Sequence, residues 1–276
     1  MRKSPDPDTL LVVMSDLHAG SVYALTVNRV WQGQKTALVY PTAGQVEIRR
    51  HFEKFADEVK EERKGRKVRL VLNGDLIDGD HHSSGDVFTT DMLEMSDAAV
   101  EIIADFKKRI DWRAGDELYV TRGTDVHTKN FENYIGRELD AVMDGDFYVF
   151  DMLTLETHGV QAIFTHHGSR NGAGANESNS LTNWLKNLYF TCLKDGERHP
   201  DLVYSGHVHQ PNYAVFAPRE KMQFKLMHGV VTPSWQMKTR YAYMAAPTAK
   251  NKVGGVYQVI TAGGLVGVPQ FCVMET

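Results

Sequence analysis

The sequence predicts an α/β fold, and three observations carry that expectation. Short apolar runs alternate along the chain with segments whose apolar residues recur at helical spacing, as when strands feed crossover helices. Each run ends in Asp, His or Gly, as strands of an open sheet do where their carboxyl ends line a ligand crevice. With 276 residues, 42% of them hydrophobic and 24% charged, the chain can bury a sizeable core and falls in the ordinary globular range. Disordered, fibrous and collagen-like classes are excluded.

The elements follow in order. "TLLVVMSD" reads as a buried strand and leads, after an irregular stretch from Ser21 to Gln45, into a helix over "EIRRHFEKFADEVKEERKG". There Ile48, Phe52, Phe55 and Val59 form one apolar stripe and Gly65 is the stop. "VRLVLNGD" is the next strand, and Gly79 to Thr90 a second irregular stretch. A second helix carries Met92, Met95, Ala99, Ile102, Phe106 and Ile110 on one face. "DELYVTRGTD" is a strand, "HTKNFENYIGREL" a helix and "QAIFTHHG" a strand. "GSRNGAGANESNS" is a polar loop expected to serve as a lid or substrate-side segment, and "SLTNWLKNLYFTCLKDG" a further helix. "DLVYSGH" is a strand, and from Pro211 the chain reads as strands and turns.

Thirty-five acidic against 31 basic residues give a net charge of −4, which supplies no broad footprint for nucleic acid. The basic run Lys60 to Arg69 reads as a solvated helix end and turn leading into a strand. Cys192 and Cys272 stand in no paired spacing, so neither a disulfide framework nor a thiolate metal site is expected, and both read as buried thiols. No run reaches the roughly 18 apolar residues of a membrane span, and the apolar stretch near Met1 is too short for a signal peptide. A cytoplasmic address and no membrane partner are the expectations.

Chemistry collects at the strand ends. Asp16 and His18 follow the first strand, Asp75 and Asp78 the second, Asp125 and His127 the third, His166 and His167 the fourth, and His207 and His209 the fifth. Singly, each admits a structural role as a cap or a hydrogen-bonded surface residue. Together, so many carboxylates and imidazoles at one sheet end would suffer repulsion and desolvation without cations. On extended chain, D-x-H and H-x-H place alternate side chains on one side, so Asp16 would face with His18 and His207 with His209. The mixed donor set suits two first-row divalent ions such as Mn²⁺, Fe or Zn²⁺. "DGDHHSSGD" adds His81 and His82, which are candidates for substrate contact or proton transfer and equally read as chance histidines of an exposed loop.

These blocks resemble those of the calcineurin-like metallophosphoesterases: D-x-H, G-D-x-x-D, G-N-H-[DE], a His near a glycine, and G-H-x-H. Here they stand as "DLH", "GDLID", "GTDVH", "THHG" and "GHVH", four of the five matching in order between about Leu10 and His209. The resemblance implies a four-layer α-β-β-α sandwich of two mixed sheets with the metal site at the strand carboxyl ends. It further implies one domain over 1–276, its motifs within about 9–210 and a strand-rich part, about 211–276, fitting the second sheet. It gives Asp16, His18 and His209 to one metal, Asp75 to both, and His166 with His207 to the second. His167 is left beside the metal or near substrate, and Asp78 is a supporting carboxylate rather than a ligand.

The third block departs from the family pattern. Its Asn, which binds the second metal, is Thr124 here, so Asp125 is expected to replace that ligand and His127 the substrate-facing His. The alternative has Thr124 packed, Asp125 capping the following helix and the second metal weak or absent. With Asp125 bound, the added negative charge favours a phosphodiester over a dianionic monoester. The implied function is dinuclear phosphoester hydrolysis with His127 as general acid, and the "GTDVH" block is similar to that of phage-carried members, which points toward nucleotide or nucleic-acid substrates. "TPSWQMKTRYAYM" offers aromatics to stack a base or, equally, to pack as core. The competing expectation is a catalytically degenerate scaffold.

Overall fold

A computed structural model describes residues 7–27, 31–32, 38–79, 85–168, 178–220, 223–245 and 252–275. The chain begins with β1 (Thr9–Met14), the short pair β2 (Trp31–Gln32) and β3 (Leu38–Val39), helix α1 (Ala43–Arg63) and β4 (Lys67–Asn73). Next come α2 (Met92–Arg109), β5 (Glu117–Thr121), the single turn α3 (Asp125–Thr128), α4 (Phe131–Glu138), β6 (Leu153–Thr157) and β7 (Val160–Thr165). Helix α5 (Asn179–Asp195) leads to β8 (Leu202–Ser205) and β9 (Asn212–Phe216), followed by β10 (Arg219–Glu220), β11 (Gln223–Phe224) and β12 (Met227–Val231). The chain closes with α6 (Arg240–Ala245), β13 (Lys252–Thr261) and β14 (Gly264–Glu275).

Two five-stranded mixed sheets result, in the orders β14-β13-β1-β4-β5 and β6-β7-β8-β12-β9. β1, β4 and β5 run parallel in the first, and β7, β8 and β12 in the second. Strand alternation builds the layers. Leu11 and Val13 of β1, with Val71, Tyr119 and Val256, meet Phe164, Leu202, Tyr204 and Val230 of the other sheet. Leu10, Val12 and Met14 face the opposite way, onto Phe52, Phe55, Met95 and Phe106 of α1 and α2. Behind the second sheet, Val203 and Val231 pack on Leu181, Leu185 and Tyr189 of α5. The chain thus forms the expected α/β sandwich of four layers, and its strand-rich tail divides: β9 and β12 join the second sheet, while β13 and β14 extend the first.

Helix ends follow local chemistry. Thr42 and Gln45 form a reciprocal capping box at the start of α1, which ends on left-handed Lys64 followed by Gly65. Asp91 caps α2 through the Leu93 amide at 3.0 Å. The basic run is less solvated than its composition suggests. Arg63 is buried, pairs with Asp116 at 2.6 Å and donates to the carbonyls of Ile110 and Asp111, because that guanidinium reaches back under the end of α2. Trp235 is fully buried, 5.4 Å from the Phe52 ring and 5.7 Å from that of Phe55, so it belongs to the core and is closed to base stacking. Both cysteines are free and buried. Among the described residues, no helix is long and apolar enough to cross a membrane.

Candidate metal centre

The carboxyl ends of β1, β4, β5, β7 and β8 converge, and each is followed within a few residues by a candidate ligand. Asn73, the last residue of β4, links both sheets beneath them. Its side chain accepts from Thr121 at 2.8 Å and donates to the Thr165 carbonyl at 3.2 Å, while its own carbonyl accepts from His166 Nδ1 at 2.8 Å. The loops also bond one another: Asp16 N donates to Gly74 O and His18 N to Asp75 O, both at 3.0 Å. The Asp16 carboxylate accepts from the His207 amide at 3.1 Å and from the Ser15 hydroxyl.

The expectation of extended D-x-H and H-x-H segments is corrected by the backbone. Asp16, His18, Asp75, His207 and His209 all have φ between 46° and 70°, the left-handed region that non-glycine residues seldom enter. The strands stop at Met14 and Ser205. The side chains converge because paired left-handed residues turn the chain, not because they alternate along a strand. Close packing also explains Gly123, where a Cβ would overlap the Asp75 amide nitrogen and Oδ1 and come within 2.8 Å of Glu132 Oε1.

Among the described residues four overlapping groups of ligand atoms converge: Asp16, His18 and His209; His166, His167 and His207; Asp16, Asp75 and His166; and His18, Asp78 and His127. In the first, His18 Nε2 and His209 Nε2 face each other at 3.1 Å, and His209 Nε2 lies 3.1 Å from Asp16 Oδ1. His18 Nδ1 donates to Asp78 Oδ1 at 2.8 Å, which puts the proton on Nδ1 and aims the Nε2 lone pair into the cluster. In the second, His166 is oriented likewise by Asn73, and its buried Nε2 stands 2.9 Å from Asp75 Oδ2 without the alignment of a hydrogen bond. The rings of His167 and His207 complete that side, 4.5 Å apart and open to solvent. Converging lone pairs, those of His18 and His166 backed by a hydrogen bond on the far nitrogen, fit divalent cations held by mixed oxygen and imidazole donors.

The electrostatics describe a site that gathers positive charge. Burial works against ionisation of Asp16, yet His209 and His166 outweigh it and hold the carboxyl at about 2. Asp75 is lowered further, its burial overcome by His166, His18 and His127. Burial likewise opposes the charged form of His166, but Asp16 and Asp75 push it up to about 9. His18 is raised by Asp78 against its burial. His207 is pushed down by burial and by the charges of His166 and His167.

Of the sequence-predicted residues, Asp16, His18, Asp75, His166, His167, His207 and His209 come together. His127 joins them at the edge, its Nδ1 donating to the Asp78 carbonyl at 2.6 Å and its ring 5.0 Å from that of His18. Asp125 does not. It is exposed, opens α3 and lies outside the groups of converging ligand atoms among the described residues. Thr124 faces the cluster instead, its amide 2.6 Å from Asp75 Oδ1 and its hydroxyl 3.2 Å from Oδ2. The turn begins at Thr124, so the next side chain swings out to solvent. The charge argument for a diester falls with Asp125. His81, His82 and most of the polar stretch after Gly168 lie outside the described residues.

Sequence reasoning missed Ser15, Asn73 and Glu132. Glu132 is buried, accepts from the Gly123 amide at 2.8 Å and from the Thr128 hydroxyl at 3.3 Å, and is pushed up to about 7 by burial. The legible signal was a polar residue closing an apolar run just before a ligand, as in "MSD" and "LNGD".

No protein-family model and no curated protein matches the chain. Solved structures similar to it include a conserved uncharacterised protein of Streptococcus pneumoniae, described as a predicted phosphoesterase, with 12% identity, 98% of each chain covered and a TM-score of 0.32. A metallophosphoesterase of Sphaerobacter thermophilus shows 11% identity over 94% of this chain and 89% of its own, with a TM-score of 0.33. The sulfate thiohydrolase SoxB of Thermus thermophilus, solved with glycerol, shows 12% identity and a TM-score of 0.39; this chain is covered completely and spans 58% of SoxB. Likenesses this distant carry no argument about activity.

Proposed function

We propose that this chain is a metal-dependent phosphoester hydrolase of the calcineurin-like kind. The observation that carries this is the convergence of imidazole and carboxylate lone pairs whose far atoms are already engaged, on His18 by Asp78 and on His166 by Asn73. Asp16, His18 and His209 would hold one divalent ion and His166 with His207 a second, Asp75 being shared. When bound, two such ions acidify water and neutralise phosphoryl charge.

The chain's own residues supply the rest. His127, anchored through Nδ1 on the Asp78 carbonyl with the Asp78 carboxylate 3.7 Å away, is the residue that would deliver a proton to the leaving oxygen. His167, exposed beside His207, contacts the phosphoryl group. Preference for nucleotide or nucleic-acid substrates rests on the resemblance of the "GTDVH" block to phage-carried family members, and preference for a diester then rests on the phosphodiester linkage of such substrates rather than on the charge of Asp125.

The test is metal content of the purified protein, run beside hydrolysis of bis-p-nitrophenyl phosphate and p-nitrophenyl phosphate with added Mn²⁺. Bound metal with turnover, faster on the diester, is expected. His127→Ala should keep the metal and slow esters of poor leaving groups most. Absence of both metal and turnover under every divalent ion would instead favour a scaffold, which one observation supports: the exposed position of Asp125 and the neutral hydroxyl of Thr124 beside Asp75.

A further inference from the structure

We infer that the two cation positions are unequal and that Thr124 sets the difference: its hydroxyl is an oxygen donor between Asp75 and His207, making that position a weak, exchangeable one. This rests on the proposed dinuclear site and concerns how that site is filled.

Thr124 occupies the residue before α3, where a threonine ordinarily turns its hydroxyl onto an amide of the first helical turn. It makes no such bond. The hydroxyl lies 3.2 Å from Asp75 Oδ2 and 3.4 Å from His207 Nδ1, and the Thr124 amide donates to Asp75 Oδ1 at 2.6 Å. The last two α3 amides are served by the Thr124 carbonyl, which accepts from His127 N at 2.9 Å and Thr128 N at 3.1 Å. The side chain has therefore left its local role and sits between two candidate ligands.

The two sides of the cluster also differ in donors and surroundings. Asp16 and His18 are buried, at 0% and 2% exposure, with His209 beside them. A carboxylate and two imidazoles in a dry pocket attract a cation strongly. On the other side Asp75 and His166 are buried as well, at 1% each, but Asp75 is the one carboxylate there, His167 and His207 are solvent-exposed, and the added oxygen belongs to a neutral hydroxyl. Asp75 already accepts two hydrogen bonds from Thr124, which spread its charge. Asp125, whose carboxylate could have raised the ligand charge, is exposed and lies outside the groups of converging ligand atoms among the described residues. Ligand charge and rigidity set affinity at oxygen-rich sites, so the second position binds less tightly.

The experiment titrates metal-stripped full-length protein with Mn²⁺, following free Mn²⁺ by electron paramagnetic resonance and retained metal by elemental analysis after gel filtration. Wild type is expected to bind in two phases separated by about tenfold or more, and to retain chiefly the tighter ion. Thr124→Asn and Thr124→Asp, which put a stronger oxygen donor at that place, should tighten the second phase by about tenfold or more and leave the first unchanged. Thr124→Ser should preserve both phases, and Thr124→Val should weaken the second alone. Two equally tight ions in wild type, or a second phase indifferent to these substitutions, would overturn the role of Thr124 while leaving the metal centre standing. No Mn²⁺ binding at all would overturn the dinuclear proposal beneath it.

Discussion

Replacing Asp78 by Ala tests the carboxylate that orients His18. His18 is 2% exposed and donates from Nδ1 to Asp78 Oδ1 at 2.8 Å. Without that acceptor the ring no longer prefers the tautomer that points Nε2 at His209 and Asp16. A buried donor left unpaired costs about 1–3 kcal/mol, and the loss of such an outer hydrogen bond lowers metal affinity by about 10–100-fold. The Asp78 side chain is 12% exposed, so water can enter the space left by truncation and partly replace the acceptor. That places the expected loss near the lower end, about tenfold, or 1.4 kcal/mol. Asp78→Asn keeps an oxygen acceptor and should lose only a few-fold. The assay is competition between the protein and a chromogenic chelator for Zn²⁺ or Mn²⁺ at fixed pH. Wild-type affinity in Asp78→Ala would refute the tautomer argument; equal losses in both variants would show that the charge matters rather than the hydrogen bond.

Gly123→Ala drives a methyl into the amide nitrogen and carboxylate of Asp75; a loss of about 3 kcal/mol in chemical denaturation, at the upper end of overpacking, is expected together with reduced metal content. In the metal-free protein, burial raises Glu132 from 4.5 to about 7. Its stabilisation is thus complete below pH 4.5 and is lost as pH rises through about 7, on the order of 3 kcal/mol. Glu132→Gln should remove that part of the pH slope, and denaturation curves whose slope matches wild type would contradict it. Asp125→Ala should leave elemental metal content unchanged, since the residue is exposed and outside the cluster; loss of an ion would return Asp125 to the ligand set.

The fold was legible because its two periodicities were strong. The stripe Ile48, Phe52, Phe55 and Val59 could face only one core, and all four are buried against the first sheet. Which sheet each tail strand would join was not legible. β13 reads as a near-continuous apolar run, and local pattern cannot tell whether it pairs with β12, its predecessor, or crosses to β1. Glu132 was invisible for a related reason: on a short helix its spacing looks solvent-facing, and only the close approach of Gly123 and Thr128 buries it.

The site was legible in its residues but not in its geometry, and the reason lies in the backbone. Asp and His after an apolar run announce chemistry at a strand end, but side-chain period says nothing once the chain leaves the strand. Here it does so at once, and five candidate ligands adopt left-handed φ values, conformations that cost on the order of 1–3 kcal/mol each for non-glycine residues unless the surroundings impose them. The surroundings do. Asp16 hangs on the Gly74 carbonyl and His18 on that of Asp75, while the His207 amide hangs on the Asp16 carboxylate. Asp16, His18 and His207 are thus each fixed by a loop that carries another candidate ligand. The same rule accounts for the third block. Thr124 begins the turn with its amide on Asp75, and the helical step that follows carries Asp125 outward by its rotation. Which of Thr124 and Asp125 faces the cluster is therefore set by where the backbone first bonds to its neighbour, which no count of donor atoms in "GTDVH" could reveal.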